Sequence, residues 1–503
     1  MEESQETVWI LGDQLHRSIG PLAARTPGEC RVLMVESDTK LASKRWHRQR
    51  RHLVVSAMRH FAQELRHEGF EVDYRHAPTL AAGLREHVAA FDVDRVLAME
   101  PMSWDGRAML EREGVLIDRN EQFLCHYEDF AAWADPRSSF KMEDFYRWQR
   151  TRLDLLMEDG PGGVEPAGGR WNFDHDNRER PPKDGRSWPV IAHFELDEID
   201  RQVISELGDN AWGAEPDGAW PVTRAQALTR LDEFIATGLA PFGAHEDAMM
   251  GDEWKLAHSV LASSMNLGLL HPLEIAEAAE HAYLQGKAPI NSVEGFIRQV
   301  IGWREYVWGL YWLWMPEYRN ENQLAATRPV PPAFTGEAST NMACVASVMQ
   351  HLHDRGYTHH IERLMVLGNL ALTSGVDPQA MTQWMWASFV DGAEWVMLPN
   401  VIGMALHADG GRMATKPYAS GGAYINKMSD SCKACRYDPK KRTGEDACPF
   451  TTLYWDFLAR NEAAFAGNHR MARQLGGMRR LSDLEDVRER AAEVLVALDE
   501  GRL

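Results

Sequence analysis

Short apolar runs alternate with helix-length amphipathic stretches through the first quarter of the chain. The runs Val8–Leu11, Arg31–Val35, Phe70–Tyr74, Arg95–Met99 and Val115–Ile117 each have the length of a buried strand. Between them, Leu53–Arg66 and Leu80–Ala90 repeat apolar residues at helical spacing. That rhythm predicts β-α-β units on a parallel, Rossmann-like sheet. The first run leads into Gly12-Asp13-Gln14-Leu15. Ligands of open α/β sheets bind at such a turn past a strand's carboxyl end, although an ordinary βα turn has the same pattern.

From about Ala132 to Pro221 the periodicity breaks up and Gly, Pro, Asp and Trp dominate, as in Gly160-Pro161-Gly162-Gly163 and Pro181-Pro182. The segment reads as a long, partly ordered linker. From about residue 223 the strand signals vanish. Amphipathic stretches follow one another at Arg224–Gly238, Pro272–Gln285, Ser292–Trp314, Met342–Arg355, His359–Thr373, Asp377–Val390 and Ser482–Asp499. The predicted organisation is an α/β domain over 1–131, an interdomain linker over 132–222 and a large all-α domain over 223–503.

Composition narrows the function. The 503 residues, 44% apolar, suffice for more than one core, and the sequence contains no run of eighteen apolar residues and opens without an export signal. A cytoplasmic, monomeric protein with no membrane partner is expected. A net charge of −20 excludes a uniformly basic nucleic-acid surface, so any DNA contact has to be a local patch. Lys44–His52 and Lys440-Lys441-Arg442 are the candidate patches, with a solvated face as the plainer reading of either.

Six cysteines are too few for a disulfide scaffold. Cys432 and Cys435 form a CxxC, Cys448 precedes Pro449, and Cys344 lies far upstream. Four thiolates could meet at one site. Structural zinc usually takes two paired knuckles and this chain has one, so an iron–sulfur cluster fits better, while zinc stays open on spacing alone. Cys30 and Cys125 read as buried apolar residues.

The stretch Asn291–Tyr306 is crowded with apolar and aromatic residues yet carries Arg298, Gln299, Arg304 and Glu305. Polar groups there need partners, either neighbouring helices or a polar ligand held between helices. His258–Gly268 adds hydroxyls and small residues suited to approach a phosphate.

Together these segments resemble the FAD-binding domain of the cryptochrome/photolyase family. Trp303-Arg304-Glu305-Tyr306 is similar to that family's Trp-Arg-Glu-aromatic helix, and His258–Gly268 to its serine-containing phosphate loop. His359-His360-Ile361-Glu362-Arg363, Asp391-Gly392-Ala393-Glu394-Trp395 and Pro399-Asn400 continue the likeness. With the four cysteines it points to the prokaryotic (6-4) photolyase branch that carries an iron–sulfur cluster.

The resemblance implies light-driven repair of (6-4) lesions in UV-damaged DNA, with FAD, a [4Fe-4S] cluster on Cys344, Cys432, Cys435 and Cys448, and a 6,7-dimethyl-8-ribityllumazine antenna. A non-enzymatic blue-light receptor with the same cofactors is the alternative. By the same resemblance Asn400 faces the flavin N5 and Asp391 contacts the ring. His245, His258, Ser259, Leu261, Arg298, Gln299 and Trp303 line the rest. Gly12, Asp13, Gln14 and Glu36 hold the antenna. His360 moves the proton, with His359 beside it, Tyr418 contacts the lesion, and Trp384 carries electrons. This chain departs from the branch at Met385, where relatives have tyrosine, at Phe334, which replaces a redox-active tryptophan, and at Ala262, which replaces a serine of the phosphate loop. Leu364 stands where eukaryotic (6-4) enzymes place a second histidine, as the bacterial branch itself has it.

Overall fold

The computed structural model describes residues 6–139, 141–160 and 163–503. Five strands, β1 (Glu6–Trp9), β2 (Arg31–Ser37), β3 (Glu71–Ala77), β4 (Arg95–Met99) and β5 (Leu116–Asp118), form one sheet in the order β3-β2-β1-β4-β5. Every pairing in it is parallel. Alternate side chains serve opposite faces. Val8, Ile10, Val32 and Met34 pack with Leu53, Ala57 and Phe61 of the helix Arg48–His67, while Trp9, Leu11, Leu33 and Val35 pack with Leu84 and Leu110 on the other side. Two apolar faces explain why the inner strands read as continuous hydrophobic runs.

The predicted helices of the second half are present, and the first continues past its predicted end to Phe242. Ile290–Trp314 is continuous, but its middle, Arg298–Trp303, is π-helical. Phe234–Gly238, Arg363–Gly368 and Pro399–Ala405 are π-helical as well. Such wider turns displace side chains from a regular helical stripe and are frequent at functional sites.

The helix Tyr127–Ala134 runs across the expected domain boundary into the stretch read as a linker, which holds the helix Met142–Leu153 followed by an antiparallel hairpin of Met157–Gly160 with Gly163–Pro166; Pro161 and Gly162 lie outside the described residues. These helices form part of the wall of the helical half. The Phe130 ring lies so close to the backbone of Gly309 that a Cβ there would sit 2.2 Å from its Cγ. Glu294, fully buried, accepts hydrogen bonds from the Tyr146 hydroxyl (2.9 Å) and the Phe173 amide (2.8 Å). Single-sequence periodicity misses such elements because their burial comes from a distant helix.

Nor is the basic run Lys44–His52 a free DNA patch or a solvated face: it is the seam between the halves. His47, Gln49 and His52 are buried. Arg50 donates to the carbonyls of Phe389 and Val390 at 3.1 Å each, and the His47 amide donates to Ala387 at 3.0 Å. Lys44 sits 4.2 Å over the Trp386 ring. Of the second basic cluster, Lys441 pairs with Asp446 and Arg442 with Asp483.

Gly268 is the tightest joint of the seam. It ends the helix Ala262–Leu267 at φ 81°, and a Cβ there would lie 2.8 Å from Gln122 Nε2 and 3.0 Å from the Leu15 amide nitrogen. That amide donates to Leu267 at 2.8 Å. Gly268→Ala is therefore expected to combine backbone strain with a clash and to lower stability by about 3 kcal/mol. Gly286→Ala, at φ 69° with nothing within 4 Å, carries the strain alone and should lose about 1 kcal/mol. Urea denaturation of the two variants side by side checks the difference.

Candidate active site

The order β3-β2-β1-β4-β5 reverses direction at β1, the position where open sheets leave a crevice beyond their carboxyl ends. A cavity of about 760 Å³ occupies it, floored by Gly12, Asp13 and Glu36 and roofed by Trp386, Glu394 and Trp395 of the helical half. Burial raises the Asp13 carboxyl above its usual range against the opposing pull of Lys40 and Arg50. Glu36 is already engaged by Arg59 at 2.8 Å, by the Tyr74 hydroxyl and by His76 at 3.3 Å. Gln14 turns away beneath the sheet, where its amide donates to Met99 and Glu100 carbonyls at 3.2 and 2.9 Å. Arg50, which no motif singles out, lines the same cavity, and burial lowers its guanidinium to about 10.

Deeper in the helical half are buried polar atoms with no hydrogen-bond partner within the protein: His245 Nδ1, Glu246 Oε2, His258 Nε2, Arg298 Nη2, Thr358 Oγ1 and both ring nitrogens of His359. Ser263 Oγ, which lines the cavity at the sheet, and Ser264 Oγ are likewise without one. Leaving one such group unpaired costs about 1–3 kcal/mol, so this concentration calls for a polar ligand. The loop that brings in His258 is itself strained: Leu256 and the β-branched Val260 are both left-handed, at φ 49° and 52°. Ser259 lies on it with its hydroxyl accepting from the Leu261 amide at 3.4 Å, and Leu261 is wholly buried in the core.

Arg298 lies between Glu294 and Asp174, at 3.4 and 3.5 Å. Gln299 and Trp303 follow on the same π-helical segment, half-buried, with Trp303 edge-on to Tyr306. Asn400 lies in the first turn of another π-helical segment, its amide donating to the Val396 carbonyl at 2.8 Å. Asp391 is held by a two-pronged ion pair with Arg363, at 2.9 and 3.0 Å, and its carbonyl accepts from Asn266 at 2.8 Å. The carboxylate is thus engaged from within the chain.

His359 and His360 diverge as adjacent positions at a helix start should. His359 is fully buried and stacks on His258, ring centres 4.6 Å apart. Burial pushes both imidazoles down, His359 well below the usual range and His258 to about 3, so both are neutral. His360 is half-exposed, and its Nε2 lies 3.4 Å from Asp247 Oδ1. Desolvation lowers it, but the Asp247 carboxylate, seconded by Glu246, outweighs that and raises it. Burial, followed by the charge of Asp174, raises the Tyr418 hydroxyl above its usual range.

Cys344, Cys432, Cys435 and Cys448 line one small cavity with Met342, Gly422 and Tyr437. All are free thiols, pushed up by burial where a shift is resolved, and Cys344 is raised further by its three neighbours. Cys30 and Cys125 are buried elsewhere, each in its own apolar cluster. Trp384 stacks on Phe334 with ring centres 5.2 Å apart and is itself only half-buried.

This geometry has counterparts. The fold superposes on the crystal structure of a bacterial class III photolyase from Agrobacterium tumefaciens with a TM-score of 0.59, covering 99% of this chain and 98% of that one at 15% identity. A two-half photolyase fold is thereby defined. The chain belongs to the photolyase family: it is 41% identical to a (6-4) photolyase of Agrobacterium fabrum over 98% of its own length and 100% of that protein. A family profile described as deoxyribodipyrimidine photo-lyase-related protein matches residues 8–214. An uncharacterized protein of Acanthamoeba polyphaga mimivirus is 33% identical over 103 residues, 20% of this chain and 76% of that one.

The Arg363–Asp391 pair offers a direct test of how the site is braced. Asp391→Ala strands a largely buried guanidinium and should cost about 3 kcal/mol, and Arg363→Ala should cost a similar amount. The double variant is expected to lose clearly less than the sum, a coupling that a double-mutant cycle of urea unfolding measures.

Proposed function

We propose that this chain is a light-driven DNA repair enzyme for (6-4) pyrimidine–pyrimidone photoproducts. The observation that carries the reading is one half-exposed, acid-paired histidine, His360, beside a nest of unpartnered buried polar atoms, in a chain similar over its full length to a (6-4) photolyase. That likeness favours repair over a receptor role. The divisions 1–131, 132–222 and 223–503 are retained as antenna-binding domain, connector and catalytic domain.

The residues present fit the cofactors. Donors such as Arg298, Ser263, Ser264 and Thr358 suit the phosphates and hydroxyls of FAD, with His245, His258, Gln299, Trp303, Asp391 and Asn400 about the rest of the molecule. The four thiols line one small cavity, and a set with only one CxxC pair suits a [4Fe-4S] cluster better than structural zinc. The cavity at the sheet edge has room for a lumazine antenna near Gly12, Asp13 and Glu36.

The chemistry supplied by bound, light-excited reduced FAD is the loan of one electron to the lesion. Photolyases are among the enzymes that extrude their target from the duplex, so the damaged pair has to enter the concavity faced by His360 and Tyr418. His360 Nε2 is turned to Asp247, which leaves Nδ1 to give the lesion a proton and take it back. His359, neutral and enclosed, shapes the wall. For photoreduction the half-buried Trp384 serves as a donor, with Trp386 or Trp395 as the alternatives, since Phe334 and Met385 stand where relatives have redox-active residues and cannot relay an electron.

His360→Ala should keep flavin and fold yet lose about 10²-fold or more of light-dependent conversion of a (6-4) oligonucleotide. Conversion at the parental rate in a folded variant would remove His360 from the mechanism. Separately, Cys→Ala at 344, 432, 435 or 448 is expected to abolish iron and sulfide content and to reduce soluble yield, whereas changes at Cys30 or Cys125 leave iron in place. Metal and acid-labile sulfide analysis decides it, and stoichiometric zinc without sulfide would refute the cluster.

A further inference from the structure

Building on this reading of His360, we propose that Asp247 is a positioning residue that orients the His360 ring and holds it protonated, which sets the alkaline limit of repair. Asp247 lies in a loop that is fixed by its backbone. The Ala248 amide donates to His245 (3.0 Å), the Met249 amide to Met428 (2.8 Å) and the Gly251 amide to the Asp430 carboxylate (3.0 Å). Its carboxylate is more enclosed, at 22% exposure, than the His360 ring at 49%, so the anchor is the acid and the movable member is the imidazole.

Everything else around His360 works against its charge or is too weak to keep it. It opens a helix, whose N-terminal dipole disfavours a cation. Its ring neighbours His258 and His359, at 5.4 and 6.1 Å, are neutral. Arg363 adds positive charge but is committed to Asp391. Glu246 is the other carboxyl facing the ring, and burial lifts it to about 7, so it is largely protonated below neutrality. Arg178 and His258 are the other titratable groups near Asp247. Asp247, at 3.4 Å, therefore carries the stabilising charge through the acid range, and Glu246 adds to it above neutrality.

The signs follow. His360 is raised, so its share of the pairing is complete below the ordinary histidine range and is lost as pH rises through the raised value. Asp247 is lowered: burial alone would raise it, but His360 outweighs that, so its share is lost only as pH falls through the depressed carboxylate value. The ion pair spans the interval between.

Two readouts on the flavin-loaded full chain test this. In the dark, ring-proton NMR of labelled histidines, with His360 assigned by its loss in His360→Ala, should show the His360 midpoint lowered by about one pH unit or more in Asp247→Asn. Asp247→Ser should do the same, and Asp247→Glu should restore part of the shift. Under light, single-turnover conversion of a (6-4) oligonucleotide should show its alkaline limb moved down by the same amount. An unchanged His360 midpoint in folded Asp247→Asn or Asp247→Ser overturns the proposal. If the midpoint moves but the parental protein converts no lesion at any pH, the pairing stands and the repair reading falls.

Discussion

The cost of enclosing an imidazole without a counter-charge organises the site. A buried histidine is either neutral or paired with an anion. His359 and His360, consecutive in sequence, take the two solutions side by side. One is sealed against His258 with no hydrogen bond to either nitrogen and the Glu362 carboxylate 3.7 Å away, and the other leans out toward Asp247. The divergence rests on the helix start between them and on the backbone bonds that hold the Asp247 loop against Met428 and Asp430. If that loop shifted, the charged and neutral imidazoles would no longer be distinguished.

The same logic reaches outward to the cysteine cavity. His351 Nε2 donates to the Gly251 carbonyl at 3.0 Å, His351 meets Glu362 at 3.3 Å, and Glu362 lies 3.7 Å from His359. The helix Ala343–Arg355 carries both Cys344 and His351. Whatever fixes the cysteines therefore also fixes the polar shell of the histidines, which is a physical reason for the two centres to share one core.

The two halves depend on each other through polar backbone contacts as well as apolar area. Arg50 from the α/β half reaches the carbonyls that precede Asp391, and Gly268 lets the phosphate-loop helix end against Leu15 and Gln122. The charge run that in isolation suggests a solvent face or a DNA patch is spent on this seam. Sequence gives its charge but not its neighbours, since a basic stripe docks or stays wet according to which carbonyls the fold presents to it.

The five strands, the long helices and the four candidate cysteine ligands were legible in the chain itself, because strand and helix periods and ligand chemistry are local properties. So was the divergence of His359 and His360, although the helix begins only at His360. Undetermined by local pattern were the helices at 127–134 and 142–153, the π-helical turns at Arg298–Trp303 and Pro399–Ala405, the engagement of Glu36 and Asp391 by arginines, and the partner of His360. Each depends on groups brought from far along the chain: Asp247 meets His360 across more than a hundred residues, and nothing in the spacing of Glu246-Asp247 announces it. Sequence determined which chemistry was available; tertiary structure decided which groups are desolvated together, and desolvation sets their charge.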